Sequence, residues 1–320
     1  MRALVVGAGA VGQVLALHLA KSGADVTVAV RRPEAVREAA LFRLRAFGAP
    51  RREQLPALPA VASLVGLEPF DVVFLTVPSD ALTGDFLAGL APGFGAATVV
   101  ALQPGLEDRR RLEALGVDER RLVRGLVGLV AFHTPLSPTS SIQDEGTAYW
   151  FPPGSPWAFD GPGARLEPVV AQLRRGGMPA VARPGLEREL VFFTAALLVA
   201  VRALELKGWS LAALAADPSL TARAAAQALA VAERRLSTSS PLGPRLVASA
   251  AVVSLAARLG PVVVPFELEA YLRVHFTKVA PQSRLLLGDL VRDGREAGLP
   301  VDALEVVAAG VGSAAGATSR

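Results

Sequence analysis

The sequence predicts an α/β domain followed by an all-helical one, and three observations predict it. Short apolar runs alternate with helix-like segments through the first half of the 320 residues, the mark of parallel strands joined by crossover helices. A glycine-rich turn separates the first apolar run from the first helix. From about residue 186 strand-like runs stop and long Ala/Leu-rich helical patterns take over. The boundary falls in Ala182-Arg-Pro-Gly-Leu, giving domains at 1–183 and 184–320, because Pro and Gly together interrupt either pattern.

The elements follow in order. Residues 1–6 read as the first strand, 11–22 as a helix stopped by Gly23, and 25–30 as the second strand. Further strands are expected at 71–77, 97–102, 122–131 and 147–151, the last bordered by the Pro- and Gly-rich stretch 151–156. In the helical half, breaks are expected at Gly208, Asp217-Pro218, 240–244, Gly260-Pro261, Pro281 and 298–300. Residues 312–320, small and polar, are expected to fray.

Composition excludes several function classes. Apolar residues make up 52% of the chain. Its longest apolar stretches, 190–201 and 246–257, are closed by Arg202 and Arg258, short of the roughly 20 residues a spanning helix needs. Gly7, Gly9 and Gly12 interrupt the N-terminal apolar run, which argues against a signal peptide. The expectation is a cytoplasmic protein without membrane partners. With no cysteine, and with only His18, His133 and His275 as imidazoles, scattered along the chain, no metal site is expected. The net charge of +4 comes from short arginine runs that are not interleaved with stacking aromatics, so no nucleic-acid partner is expected either.

Gly7-Ala-Gly9-Ala-Val-Gly12 is a G-x-G-x-x-G motif between a strand and a helix, inside a strand–helix–strand unit. That is the context of a Rossmann-like dinucleotide-binding turn. The first glycine permits the tight turn, the second lets the backbone approach a pyrophosphate, and the third lets helix and strand pack closely. Free amides of Ala8, Ala10 and Val11 at the helix N-terminus then face the phosphates. At the end of the second strand an NAD-preferring site carries an acid, whereas this chain has Arg31-Arg32. Guanidinium groups suit a 2′-phosphate, so the expected cofactor is NADP(H).

The combination resembles the ketopantoate reductase (2-dehydropantoate 2-reductase) family over nearly the whole chain. The likeness is carried by 7–12, by Arg31, and by Leu102-Gln-Pro-Gly-Leu106, which resembles that family's Leu-Gln-Asn-Gly-Leu. It continues in Glu189-Leu190, Gly288 and Arg295-Glu-Ala-Gly298-Leu-Pro. The resemblance implies an NADPH-binding domain followed by a helical one, and it adds the strand-end residues Thr76, Pro78 and Gln103 to the cofactor set. It also implies positions for a general-acid lysine and a set of polar site residues, and there the chain departs. The lysine position falls at Phe193, two helix asparagines at Leu197 and Val201, a third at Pro104, a second lysine at Pro78 and a glutamate at Gln282. The chain has no asparagine at all.

Delivering hydride to a ketone develops an alkoxide, which needs a proton donor or a cation. An apolar row of Phe193, Leu197 and Val201 provides neither. His275 and Lys278, three apart on one helical face, are the candidate acid and carboxylate-binding cation. Three readings follow. The first is an NADPH-dependent oxidoreductase reducing a small carbonyl substrate, keto acid-like or less polar, through a non-standard site. The second is an NADP-binding sensor or interaction protein without chemistry, and the third a true 2-dehydropantoate 2-reductase with substituted site residues. High apolar content in the helical half points to a homodimer.

Overall fold

The computed structural model describes residues 1–310; the stretch expected to fray, 312–320, lies outside them. The chain divides into two compact units, 1–187 and 188 onward.

The first unit holds twelve strands in two sheets. β1 (Arg2–Val6), β2 (Asp25–Ala29), β3 (Ala39–Arg43), β4 (Arg51–Leu55), β5 (Ala60–Val61) and β6 (Val72–Leu75) come first. β7 (Thr98–Ala101), β8 (Leu122–Leu126), β9 (Val130–Thr134), β10 (Gly146–Trp150), β11 (Trp157–Asp160) and β12 (Ala180–Ala182) follow. The main sheet runs β12-β11-β8-β7-β6-β1-β2-β5. It is parallel from β5 to β8, with β11 antiparallel to β8 and β12 parallel to β11. Strand order reverses at β1, with β2 on one side and β6 on the other. That is the switch point at which open α/β sheets bind ligands.

Helices cover both faces of this sheet. α1 (Ala10–Lys21) follows β1, α2 (Asp85–Leu90) and α3 (Asp108–Ala114) follow β6 and β7, and α4 (Gly163–Arg175) precedes β12. Ala3, Val5, Phe74, Val100 and Val123 pack with α1 and α4 in one core. Leu4, Val6, Val73, Leu75, Val99 and Leu122 alternate with them into the core that holds residues of α2 and α3, as the two-residue period of a strand requires.

The expected strands near 1–6, 25–30, 71–77, 97–102 and 147–151 form. The single strand expected over 122–131 does not. It is two strands, β8 in the main sheet and β9 in a second sheet of order β4-β3-β10-β9, separated at Gly128. A side chain there would stand 2.6 Å from the backbone of Pro156 and Trp157, so only glycine lets the chain pass from one sheet to the other.

The second sheet was not expected as a layer, yet α1 carries its signal. Val14, Leu15, Ala16, Leu17 and Leu19 are all buried, which is more than one helical stripe. The reason is that α1 packs on β1 and β2 on one side and on β4, β9 and β10 on the other. Polar groups pin this layer. Tyr149 Oη donates to Glu53 at 2.5 Å, Lys21 lies 3.0 Å from the same carboxylate, and His18 Nδ1 lies 2.7 Å from the Gly176 carbonyl.

The second unit has no strand among its described residues. It receives α5 (Leu186–Leu206), α6 (Leu211–Ala216), α7 (Ser219–Leu236), α8 (Leu242–Leu246) and α9 (Ala250–Val263). α10 (Leu268–Lys278), α11 (Ala280–Glu296) and α12 (Asp302–Ala309) complete it. α7 is central, packed on α9, α11 and α12 through its small residues Ala222, Ala224, Ala225 and Ala228. Its Gln227 caps α12 by accepting from Leu304 N at 2.9 Å. The break expected at Gly260-Pro261 comes later. α9 continues to Val263 with Pro261 inside it, because a proline in the last turn removes only one helical hydrogen bond. Among the described residues no single helix is long and apolar enough to cross a membrane; α9 and α10 pass together only as a pair bent by 106°.

Two histidines, His18 buried and His275 half-buried, give this fold a pH dependence. Burial pushes the His18 imidazole below its usual range, opposed by the Gly176 carbonyl and reinforced by Lys21. Burial, with Lys278 adding, pushes His275 down to about 4. Both histidines titrate near 6.5 in the unfolded chain, which therefore binds more protons than the folded one below that pH. Stability is expected to be complete above about pH 6.5 and to decline toward pH 4, by at most about 1.4 kcal/mol per pH unit for each histidine. Urea midpoints at pH 7 and pH 5 should show a smaller difference in His275→Phe than in the wild type; an unchanged difference would remove His275 from the account.

Candidate functional site

The glycine turn joins the carboxyl end of β1 to α1. Gly7 has φ +106°, a conformation that L side chains rarely adopt, and its amide donates to Ala29 O at 3.0 Å, tying the turn to β2. A Cβ on Gly12 would overlap the Gly7 carbonyl oxygen, so this glycine sets how closely the helix lies on the turn. Gly9, the residue before α1, would have nothing within 4 Å of a Cβ. Its side-chain position is open space rather than protein. The first intrahelical bond is Gln13 N to Gly9 O at 2.9 Å, which leaves the amides of Ala10, Val11 and Gly12 without helical partners. No acidic residue occupies the first turn of α1. These features fit a bound pyrophosphate.

Beside the turn lies a cavity of about 400 Å³. Its lining includes Ala8, Gly12 and Gln13 from the turn and α1, Val28 and Val30 from the β2 side, Leu55 at the end of β4, and Pro56 and Leu58 from the segment that follows it. Arg31, Arg32 and Arg37 complete the lining. Arg37 is engaged with the carbonyls of Glu34 and Val36. Arg31 and Arg32 are exposed and pair with no carboxylate among the described residues. The cavity is a largely apolar slot with two uncompensated guanidiniums in its lining, which leaves cations available to an anionic group beside it.

Thr76 and Gln103 hold the neighbouring strand ends. Thr76 Oγ1 stands 2.9 Å from the carbonyls of both Val6 and Gly7, and so ties β6 to the glycine turn. Gln103, fully buried, donates from Nε2 to the carbonyls of Leu75 at 3.0 Å and Val77 at 2.7 Å, and so ties the loop after β7 to β6. Pro78 leads into a 3₁₀ turn at Ser79–Thr83. The Thr76 and Gln103 side chains are thus braces of the site's edge.

The residues named for chemistry lie in the second unit. Phe193 and Leu197 are exposed on α5, while Val201, the third of the row, is buried at 3%. The exposed apolar row therefore has two members, because the two i, i+4 steps drift around the helix by about 40° each. His275 stacks on the Tyr271 ring at 5.2 Å and meets Phe276 edge-on at 4.8 Å. With its pKa down at about 4 it is a neutral imidazole at pH 7. Lys278, exposed in the same helix, contributes to that depression. Arg202 is buried and pairs with Glu205.

Three participants escaped the sequence reading: Gln13, Arg37 and the Leu55–Leu58 segment. Arg37 follows Arg31-Arg32 closely in sequence and was legible as a third arginine. The segment after β4 reaches the cavity only through the second sheet, for which no local signal exists.

Comparisons with known proteins agree with this geometry. Residues 3–154 match the family model described as ketopantoate reductase PanE/ApbA. Among solved structures, a PanE/ApbA family ketopantoate reductase from Ralstonia eutropha JMP134 superposes with TM-score 0.71 at 19% identity, covering 97% of this chain and 96% of that one. A 2-dehydropantoate 2-reductase from Geobacter metallireducens GS-15 gives 0.69 at 18%, covering 97% and 98%. D-mandelate dehydrogenase in a ternary structure with NADH and anilino(oxo)acetate gives 0.70 at 14%, covering 97% and 96%. A glycerol-3-phosphate dehydrogenase [NAD(P)+] of Nocardia farcinica (strain IFM 10152) is 35% identical over 135 residues, which span 38% of this chain and 40% of that protein. At these identities the superpositions establish the fold.

Proposed function

From the match of residues 3–154 to the ketopantoate reductase PanE/ApbA family model we propose that the chain is a member of that family and an NADPH-dependent oxidoreductase acting on the carbonyl of a small keto acid-like substrate. The observation that carries the reading is the open glycine turn at the strand-order reversal, with the unpaired Arg31 and Arg32 at the mouth of the adjoining cavity. In this reading the amides of α1 hold the pyrophosphate. Arg31 and Arg32 hold the 2′-phosphate, and Thr76 and Gln103 keep the strand ends in register beneath the cofactor. When bound, the dinucleotide supplies the hydride.

A second reading, a dinucleotide-binding sensor without chemistry, is favoured by the apolar residues Phe193 and Leu197 and by Pro78 and Pro104, which stand where the family carries polar groups. Titration of NADPH and NADH against the purified protein, followed by a panel of carbonyl substrates, separates the two. NADPH binding with consumption on a keto acid supports the oxidoreductase. Tight binding without turnover on any member favours the sensor. Failure to bind either nucleotide removes both. The exposed apolar residues Leu255, Leu259, Val262 and Val263 of α9 favour a homodimer, which light scattering after size exclusion should detect as twice the 33.2 kDa chain mass.

A further inference from the structure

Each carbonyl of the glycine turn from Val6 to Gly9 meets a donor of the protein. Val6 O accepts from Thr76 N at 3.0 Å, and Thr76 Oγ1 stands 2.9 Å from both Val6 O and Gly7 O. Gly9 O accepts from Gln13 N at 2.9 Å. Between them, Ala8 O accepts from a side chain, Gln13 Nε2, at 3.3 Å. The amide of Gly9, which shares a peptide plane with that carbonyl, meets no acceptor among the described residues. The turn is thus braced at its oxygens and open at a nitrogen.

The Gln13 amide is held in turn by the second sheet. Thr147 of β10 lies between Leu41 of β3 and His133 of β9 and is 0% exposed. Its Oγ1 donates to Gln13 Oε1 at 2.6 Å, across 134 residues of chain, and His133 Nδ1 stands 3.1 Å from the same hydroxyl. The polarity of this chain is fixed from its far end. A carbonyl only accepts, so the Gln13 atom facing Ala8 O is the nitrogen and the one facing Thr147 is the oxygen. The single hydroxyl hydrogen of Thr147 then goes to Gln13, and His133 Nδ1 is the N–H that donates to Thr147.

The Ala8–Gly9 peptide needs such a brace. Its plane is rigid, so the direction of Ala8 O fixes the direction of the Gly9 N–H on the opposite side. Rotation of the plane, however, is poorly determined locally, because Gly9 has the widest choice of backbone angles and no Cβ that could pack. We propose that Gln13 and Thr147 are positioning residues of the nucleotide site. Thr147 locks the Gln13 amide, and Gln13 draws Ala8 O toward the second sheet, which turns the Gly9 N–H outward to the pyrophosphate. This assignment, which rests on the nucleotide-binding part of the function proposed above, makes the second sheet a support of the cofactor turn.

The test uses the full chain as wild type, Thr147→Val, Thr147→Ser and Gln13→Leu. The probes are NADPH, which carries the pyrophosphate, and adenosine 2′-monophosphate, which carries the ribose phosphate without it and is titrated as a competitor. Thr147 is not among the residues lining the cavity, and valine keeps its shape while removing the hydroxyl. In Thr147→Val, NADPH binding is expected to weaken about tenfold, while the monophosphate changes by less than about twofold. Thr147→Ser, which restores the hydroxyl, should bind NADPH within about threefold of wild type. Gln13→Leu should lose at least as much NADPH affinity as Thr147→Val. Loss of a buried hydroxyl lowers Tm whatever its role, so the ratio of the two affinities is the readout that a merely structural brace leaves unmoved. A Thr147→Val protein that keeps its NADPH affinity, or that loses affinity for both probes alike, overturns the proposal. Should Thr147→Val not fold, Gln13→Leu decides by the same ratio. A wild type that binds NADPH while its variants keep the ratio overturns this assignment alone; one that binds no NADPH overturns the functional reading as well.

Discussion

Replacing Arg31 and Arg32 together with alanine is expected to weaken NADPH binding by about 100-fold and to change NADH binding by less than about threefold. Both guanidiniums stand exposed at the mouth of the cavity beside the glycine turn, and neither spends its charge on a carboxylate of the protein. Their full interaction is therefore available to a ribose phosphate. A charge-assisted hydrogen bond contributes about 1.5–3 kcal/mol, so even partial engagement of the pair reaches two orders of magnitude. Arg37, held by the carbonyls of Glu34 and Val36, has less freedom, and Arg37→Ala should cost less than either neighbour. Fluorescence titration of the two nucleotides against both variants measures this directly. An equal loss for NADPH and NADH would assign the arginines to the shape of the loop instead of to the phosphate.

Two glycines of the same turn should respond in opposite ways to the same methyl group. Gly9→Ala meets nothing within 4 Å, so Tm should be unchanged, yet its Cβ occupies the space through which a pyrophosphate would approach the helix amides. Dinucleotide affinity is expected to fall by at least about tenfold, about 1.4 kcal/mol. Gly12→Ala places its Cβ against the Gly7 carbonyl and 2.9 Å from Thr76 Oγ1, and one of these must move. Overpacking of this kind costs about 1–3 kcal/mol, so Gly12→Ala should lose both several degrees of Tm and nucleotide binding. Thermal unfolding of each variant with and without NADPH decides the matter. A Gly9→Ala protein that still gains Tm normally from NADPH would mean the pyrophosphate lies elsewhere.

Much of the site was readable because its geometry is local. A turn between strand and helix needs its glycines within six residues, and the spacing of Gly7, Gly9 and Gly12 states it outright. Arg31 and Arg32 are placed by the end of β2, one hydrogen-bonded strand away from β1. Arg124 was visible as a lone charge in the apolar run 122–131, but nothing in that run tells whether the charge points to solvent or into the sheet. The second sheet was unreadable for another reason. β4, Arg51–Leu55, is mostly charged and exposed, as an edge strand often is, and its partner β3 joins β10 across about a hundred residues of chain. The row Phe193, Leu197, Val201 shows the same limit on a helix: spacing assigns a face, and only packing assigns which part of that face is buried.

By itself the sequence determined that this chain begins with a strand–glycine turn–helix unit carrying arginines where an acid would select NAD, and that a helical half follows. Those properties depend on backbone conformation and side-chain charge within a few residues, which composition and spacing encode. The tertiary structure alone decided that the 122–131 run divides between two sheets, that Gln103 and Thr76 serve as braces, and that His275 is held as a neutral imidazole. It also decided that Arg124 is buried, with no carboxylate paired to it among the described residues. Each of these depends on which distant segments meet, and so on burial and the partners available there. Burial changes the free energy of a charged group by more than any local sequence preference does.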